Sequence, residues 1–220
     1  MRFNRITNHP IKTPYAPTWD YTLGTTLFPI NLEKLSKTCL EKEKEIKRLP
    51  MSIGGSGKFT DGYTGLGKNS TTSRFQYYNV LEWNTAETNS LLKNIKSQLR
   101  AYNYRLGNST PEQVWISCWV NILRWGQKIK PHKHSTSPDC YLSGHFNVQV
   151  KDTSTCYMSP VNQLNDPEII EMKNIPGEIT FFPSYIFHYT TPHYSFKPRI
   201  TIAMDIHVSD FISSSTRVDL

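Results

Sequence analysis

The sequence predicts an α+β domain: two helices, then a largely antiparallel sandwich or barrel. Three observations carry this. Helical periodicity is confined to the first half of the chain. Short segments of alternating apolar and polar residues fill the second half, and no long helical pattern separates them. Finally, 220 residues are enough for one sizeable core without requiring a second. We therefore expect one domain over 1–220, with an extended arm (1–30), helices and a Gly-rich loop (31–110), and a strand-built core (111–210).

Residues 1–30 are rich in Pro, Thr and Tyr and read as an arm crossing the surface. Asn31 then precedes LEKLSKTCLEKEKEIKRL, where Leu32, Leu35, Cys39 and Ile46 recur at helical spacing and Pro50 ends the run. Lys42, Lys44, Lys47 and Arg48 interleave with Glu41, Glu43 and Glu45, the pattern of a solvated helix face. Between 52 and 73, Gly54, Gly55, Gly57, Gly62, Gly65 and Gly67 stand among Ser and Thr, which reads either as a lid or as a surface loop. The stretch GGSGKFT resembles a phosphate loop. It lacks the first Gly, where Ser52 stands, and the hydroxyl after Lys58, where Phe59 stands, so a nucleotide triphosphatase is discarded. The second helix is expected over 86–106, with Asn84 and Glu87 as capping box and Leu91, Leu92, Ile95, Leu99, Tyr102 and Leu106 as apolar stripe.

Beyond Pro111 the strands are VWISCWVNILRW, YLSGHFNVQV, EITFFP, YIFHYTT and RITIAMDIHV, with a short turn at 166–173. In the last, Ile200, Ile202, Met204, Ile206 and Val208 share one face, and Arg199, Thr201, Ala203 and Asp205 the other. Leu142, Gly144, Phe146 and Val148 oppose Ser143, His145, Asn147 and Gln149 in the same way. Val114, Ile116, Cys118, Val120 and Ile122 oppose Trp115, Ser117, Trp119, Asn121 and Leu123. The polar faces either meet water or line one pocket; alternation leaves both open.

Composition excludes little. Hydrophobic residues make up 37% and charged residues 20%, ordinary for a globular protein. There is no run of ~20 apolar residues and no apolar signal core, so a cytoplasmic protein without a membrane span is expected. Cys39, Cys118, Cys140 and Cys156 are scattered without a CxxC pair and read as free thiols. The net charge of +7 leaves a nucleic-acid partner open, but the basic residues are dispersed and suit steering of small anions equally well.

His132-Lys133-His134, followed by His188 and then Arg199, is the constellation that carries chemistry. Residues i and i+2 of an extended segment point the same way, so His132 and His134 offer two imidazoles to one ion, and a distant strand could bring His188 as a third. Imidazole suits iron, zinc, copper and nickel alike. An arginine beyond the last histidine can hold an anion beside the metal. His9, His145, His193 and His207 read as surface or core residues. Trp125, Tyr141 and Tyr185 read as core packing, with pocket lining as the alternative.

The segment WVNILRWGQKIKPHKHSTSPDCYLSGHFNVQV, followed by IPGEITFFPSYIFHYTTPHYSFKPRITIAMDI, resembles the double-stranded β-helix (jelly-roll, cupin-like) core of the 2-oxoglutarate/Fe(II)-dependent oxygenases. The likeness covers about 113–207, with an echo in LFPIN and the first helix. It implies Fe(II), 2-oxoglutarate and O2 as cofactor and co-substrates, with hydroxylation, succinate and CO2 as the default outcome. It makes His132 the first ligand and His188 the last. Arg199 would hold the distal carboxylate of 2-oxoglutarate, with Thr201 and Asn121 adding contacts, while Gly177 and Pro183 shape the turn and bend that deliver His188. The usual HxD motif is HxH here, so the third ligand is His134 or a carboxylate such as Asp139, and strand geometry favours His134. Two other readings remain: a three-histidine cupin enzyme that ignores 2-oxoglutarate, and a non-catalytic jelly-roll binding or assembly module. The substrate and oligomeric state are not legible.

Overall fold

The computed structural model describes residues 1–134, 141–161, 169–208 and 218–220. Among the described residues, ten strands and two α-helices follow one another as β1 (Arg2–Thr7), β2 (Asp20–Leu27), α1 (Leu32–Ile46), α2 (Ala86–Arg105), β3 (Trp115–Leu123), β4 (Leu142–Gln149), β5 (Ser154–Met158), β6 (Ile169–Lys173), β7 (Glu178–Pro183), β8 (His188–Thr190), β9 (Arg199–His207) and β10 (Val218–Asp219). They form a large sheet in the order β1-β2-β7-β4-β9-β3-β10 and a small one in the order β6-β5-β8. Neighbouring strands pair antiparallel. The sheets face each other: the Phe182 ring on β7 lies 5.2 Å from that of Tyr157 and 4.7 Å from that of His188, both on the small sheet. This is the double-stranded β-helix, backed by two helices, that the sequence leads one to expect.

The outer face of the large sheet is the apolar one, and it packs on the helices. Ile116, Cys118, Val120 and Ile122 of β3 and Ile200, Ile202, Met204 and Ile206 of β9 join Leu35 and Cys39 of α1 and Leu91, Ile95 and Leu99 of α2 in one buried cluster. Phe146 stacks on Phe28 with centroids 4.8 Å apart, and the Tyr102 hydroxyl donates to Thr22 O at 2.7 Å. Burying this greasy face under helices frees the polar face to turn inward. Gly144 sits where β4 approaches β7 so closely that a Cβ would lie 2.6 Å from Thr180 O.

Several local expectations are revised. The first 30 residues are not an arm: β1 pairs with β2, and β2 pairs with β7 inside the large sheet, with Tyr21 and Leu23 buried. The Pro-rich stretch is only their connection. The expected turn at 166–173 is strand β6 over Ile169–Lys173. α2 is capped one residue later than expected. Thr85 accepts from Thr88 N–H while the Thr88 hydroxyl accepts from Thr85 N–H, and Asn84 takes a left-handed conformation (φ 53). α1 begins as expected, with the Asn31 side chain accepting from Lys34 N–H at 3.0 Å. Cys39, Cys118 and Cys156 are free and buried; Cys140 lies outside the described residues. No helix among the described residues is long and apolar enough to cross a membrane.

Candidate metal centre and anion pocket

His132 and His134 stand on an extended segment outside the sheets, fixed at both ends by backbone bonds. His132 N–H donates to His188 O at 3.1 Å, and His188 N–H returns the bond to His132 O at 2.9 Å. His134 N–H donates to Ser184 O at 3.0 Å. The alternation this imposes sends Lys133 outward, over the Phe187 ring, and both histidines inward. With His188 at the start of β8, one nitrogen from each ring falls within 4.8 Å of the other two. The structure thus brings His134 to the group. Asp139, the alternative, lies outside the described residues.

The donor set fits a divalent transition metal. His132 Nδ1–H donates to Lys130 O at 2.9 Å and His188 Nδ1–H to Ile186 O at 3.1 Å. A carbonyl can only accept, so each ring keeps its Nε2 lone pair for a metal. The third ring, His134, directs Nδ1 at the Asp205 carboxylate. Burial, then the neighbouring His134, pushes His132 down to about 4. Burial and the neighbouring imidazoles push His188 well below the usual range. Neutral imidazole is the ligating form.

Arg199 is 2% exposed. Its Nε–H donates to Thr153 Oγ1 and an Nη1–H to Thr201 Oγ1, each at 3.3 Å. No carboxylate among the described residues forms an ion pair with it. Burial lowers it to about 10, so the guanidinium remains charged at neutral pH. An uncompensated buried charge costs several kcal/mol, and an anion entering beside it removes that cost.

Register assembles the rest. Thr201 lies between Asn121 on β3 and Asn147 on β4, and Ala203 lies between Trp119 and His145. An inner cavity of about 40 Å³ is lined by the three histidines together with Arg199, Thr201 and Asn121. Of the two readings of the polar sheet faces, the pocket is therefore the one observed. The Asn121 Oδ1 accepts from the Thr72 hydroxyl at 2.5 Å, which ties the pocket floor to the segment after the Gly-rich loop. An outer cavity of about 250 Å³ lies between that loop and the histidine pair, with Phe75, Trp119 and Asp205 in its wall. Gly177 takes φ +79 in the turn that starts β7.

Sequence reasoning missed His145. It lines the inner cavity, and its Nε2 lies 3.0 Å from the Tyr157 hydroxyl. Burial, then Arg199, pushes it down to about 3, which keeps it neutral. Its place on the same face as Ser143 and Asn147 was the available signal. None of Trp125, Tyr141 and Tyr185 lines either cavity; Tyr141 packs against the main buried cluster as expected, whereas Trp125 and Tyr185 are exposed. Trp125 is 58% exposed and stacks on Phe196. Tyr141 is half-buried and accepts from Asn103 Nδ2 at 2.7 Å, and Tyr185 is 36% exposed. Of the other histidines, His9 is exposed and His193 is buried against Lys197 O, in keeping with surface and core roles.

Known proteins give a consistent picture. Residues 117–205 match a sequence-family model described as "Putative 2OG-Fe(II) oxygenase". Curated protein sequences give no match. Among solved structures, a prolyl-4-hydroxylase from Pseudomonas putida aligns at 14% identity over 85% of this chain and 92% of its own, with TM-score 0.51. A prolyl hydroxylase from Trichoplax adhaerens, solved with a hypoxia inducible factor peptide fragment, aligns at 12% identity over 84% and 82%, with TM-score 0.53. The α-ketoglutarate-dependent carbocyclase SnoK of nogalamycin biosynthesis aligns at 11% identity over 86% and 80%, with TM-score 0.53. At such identities the likeness is one of fold, while the family match covers His132, His134, His188, Arg199 and Thr201 together. Residues 117–205 are thus similar in sequence to 2-oxoglutarate/Fe(II)-dependent oxygenases, and the chain shares the fold of these solved structures.

Proposed function

We propose that this chain is a hydroxylase, with His132, His134 and His188 as the ligands of Fe(II), and Arg199, Thr201 and Asn121 as the contacts for 2-oxoglutarate. The observation that carries the reading is Arg199: a buried cation without a counter-ion among the described residues, in the same small cavity as three metal-competent imidazoles. A dicarboxylate supplies what this cavity lacks, one end for the guanidinium fork and the other for the metal. With these partners bound, the centre supplies oxidative decarboxylation of 2-oxoglutarate to succinate and CO2, coupled to hydroxylation of a substrate C–H bond. Arg199 and the Thr201 hydroxyl fix the co-substrate's far end. The apolar walls, Ile129 and Phe182 among them, exclude water. The outer cavity, walled by Phe75, Trp119 and the Gly-rich segment, is the natural place for the substrate.

The test is succinate formation. Purified protein with Fe(II), ascorbate, O2 and 2-oxoglutarate should form succinate slowly without substrate and faster when a substrate is found by screening. Arg199→Ala should reduce the slow reaction at least tenfold at limiting 2-oxoglutarate. Succinate formation that is absent from wild type, or equal in both proteins, overturns the proposal.

A further inference from the structure

The position where a carboxylate would usually complete the metal face holds an imidazole, His134, and a carboxylate stands directly behind it. Asp205 projects from β9, the strand that also carries Arg199 and Thr201. Its Oδ1 takes the Nδ1–H of His134 and, at 2.6 Å, the hydroxyl of Ser143. The sheet register sets up this partnership: Asp205 pairs across to Ser143 on β4 and to Ser117 on β3, one row beyond Ala203. The three imidazoles are not equivalent in this respect. His132 and His188 donate Nδ1–H to neutral backbone carbonyls, whereas His134 alone donates it to a charged group.

We infer that Asp205 is a positioning residue that delivers to the metal, through the His134 ring, the negative charge that a carboxylate ligand would supply directly. A carboxylate accepting from Nδ1–H fixes the tautomer and makes Nε2 a stronger donor. It also partly offsets the +2 charge of an ion otherwise surrounded by neutral ligands. Ser143 holds the carboxylate in line, so that the ring has one orientation. This inference rests on the metal-centre reading above.

The experiment uses Co(II) as probe, because its binding and visible ligand-field bands are read without turnover. Wild type, Asp205→Asn and Asp205→Ala are titrated with Co(II), with apo-protein melting temperature as the folding control. Asn keeps an oxygen that can accept from Nδ1–H but removes the charge. The expected result is Co(II) affinity weakened about 10-fold in Asp205→Asn and up to about 100-fold in Asp205→Ala, with shifted ligand-field bands, while the Asn variant melts near wild type. Affinity and bands within twofold and a few nanometres of wild type in Asp205→Asn overturn the inference, whatever Ala does. If the Asn variant does not fold, proton NMR of the Co(II) wild type decides. Three exchangeable shifted N–H signals, one of them slow to exchange and displaced from the other two, are expected; three alike overturn the inference. Wild type that binds no Co(II) refutes the metal-centre reading instead, a separate outcome.

Discussion

His132 and His188 hold each other by a reciprocal pair of backbone hydrogen bonds, 3.1 and 2.9 Å long, and their rings meet 4.4 Å apart. The bridge is an isolated one between a segment outside the sheets and the first residue of β8. Two candidate ligands distant in sequence are thereby locked by main-chain atoms, which side-chain substitution leaves in place. His188→Ala should remove a ligand without unfolding the protein. We expect stoichiometric Fe(II) or Co(II) binding to be lost, with circular dichroism unchanged and melting temperature within a few degrees of wild-type apo-protein.

Arg199 should behave oppositely in two assays. Replacing it by Met deletes an uncompensated buried charge, so apo-protein stability should hold or rise. The affinity for 2-oxoglutarate should fall by about 2–5 kcal/mol, the usual cost of removing one partner of a buried charge pair. Thermal melts and calorimetric titration of the metal-loaded protein check the two halves.

Acid should destabilise the apo-protein well above the carboxylate range. His132 and His145 titrate near 4 and near 3 when folded, against about 6.5 when unfolded. The unfolded chain therefore takes up these protons first, and stability drops as pH falls from about 6.5 towards 4. The expected loss is a few kcal/mol, because each tenfold difference in proton affinity between the two states is worth about 1.4 kcal/mol. Urea unfolding at pH 7.5, 6 and 5 measures it, and saturating metal should delay the loss by holding the imidazoles deprotonated.

Gly144→Ala tests the packing of the large sheet. The added Cβ would meet Thr180 O at 2.6 Å, a backbone atom that cannot swing away. A destabilisation of about 1–3 kcal/mol is expected, read from chemical denaturation. Ser143→Ala, one residue earlier, leaves that contact untouched and should cost less.

How much could be read beforehand depended on the strength of local pattern. The strict alternation of Ile200, Ile202, Met204 and Ile206 announced β9, and the opposite face placed Arg199 and Thr201 together. The HxH spacing survived because an extended segment alone dictates same-side projection. β1 and β2 escaped notice because RFNRIT and DYTLGTTL alternate weakly and are stabilised by pairing with each other and with β7. β6, only five residues long, is an edge strand that among the described residues pairs with β5 alone. A single histidine such as His145 carries no spacing signal; only the register that places it across from Ala203 shows that it shares the cavity. Asp205 was seen on the polar face of its strand, but its partnership with His134 needs a contact between residues distant in the chain.

Anaerobic titration of the purified protein with Fe(II) and then 2-oxoglutarate is the most direct trial of the central claim. A weak visible charge-transfer band should grow to saturation at one equivalent of each. It should vanish in His188→Ala even with excess iron, and in Arg199→Met it should require far more 2-oxoglutarate. No band in the wild-type protein, or one that forms equally well without the guanidinium, would contradict the account.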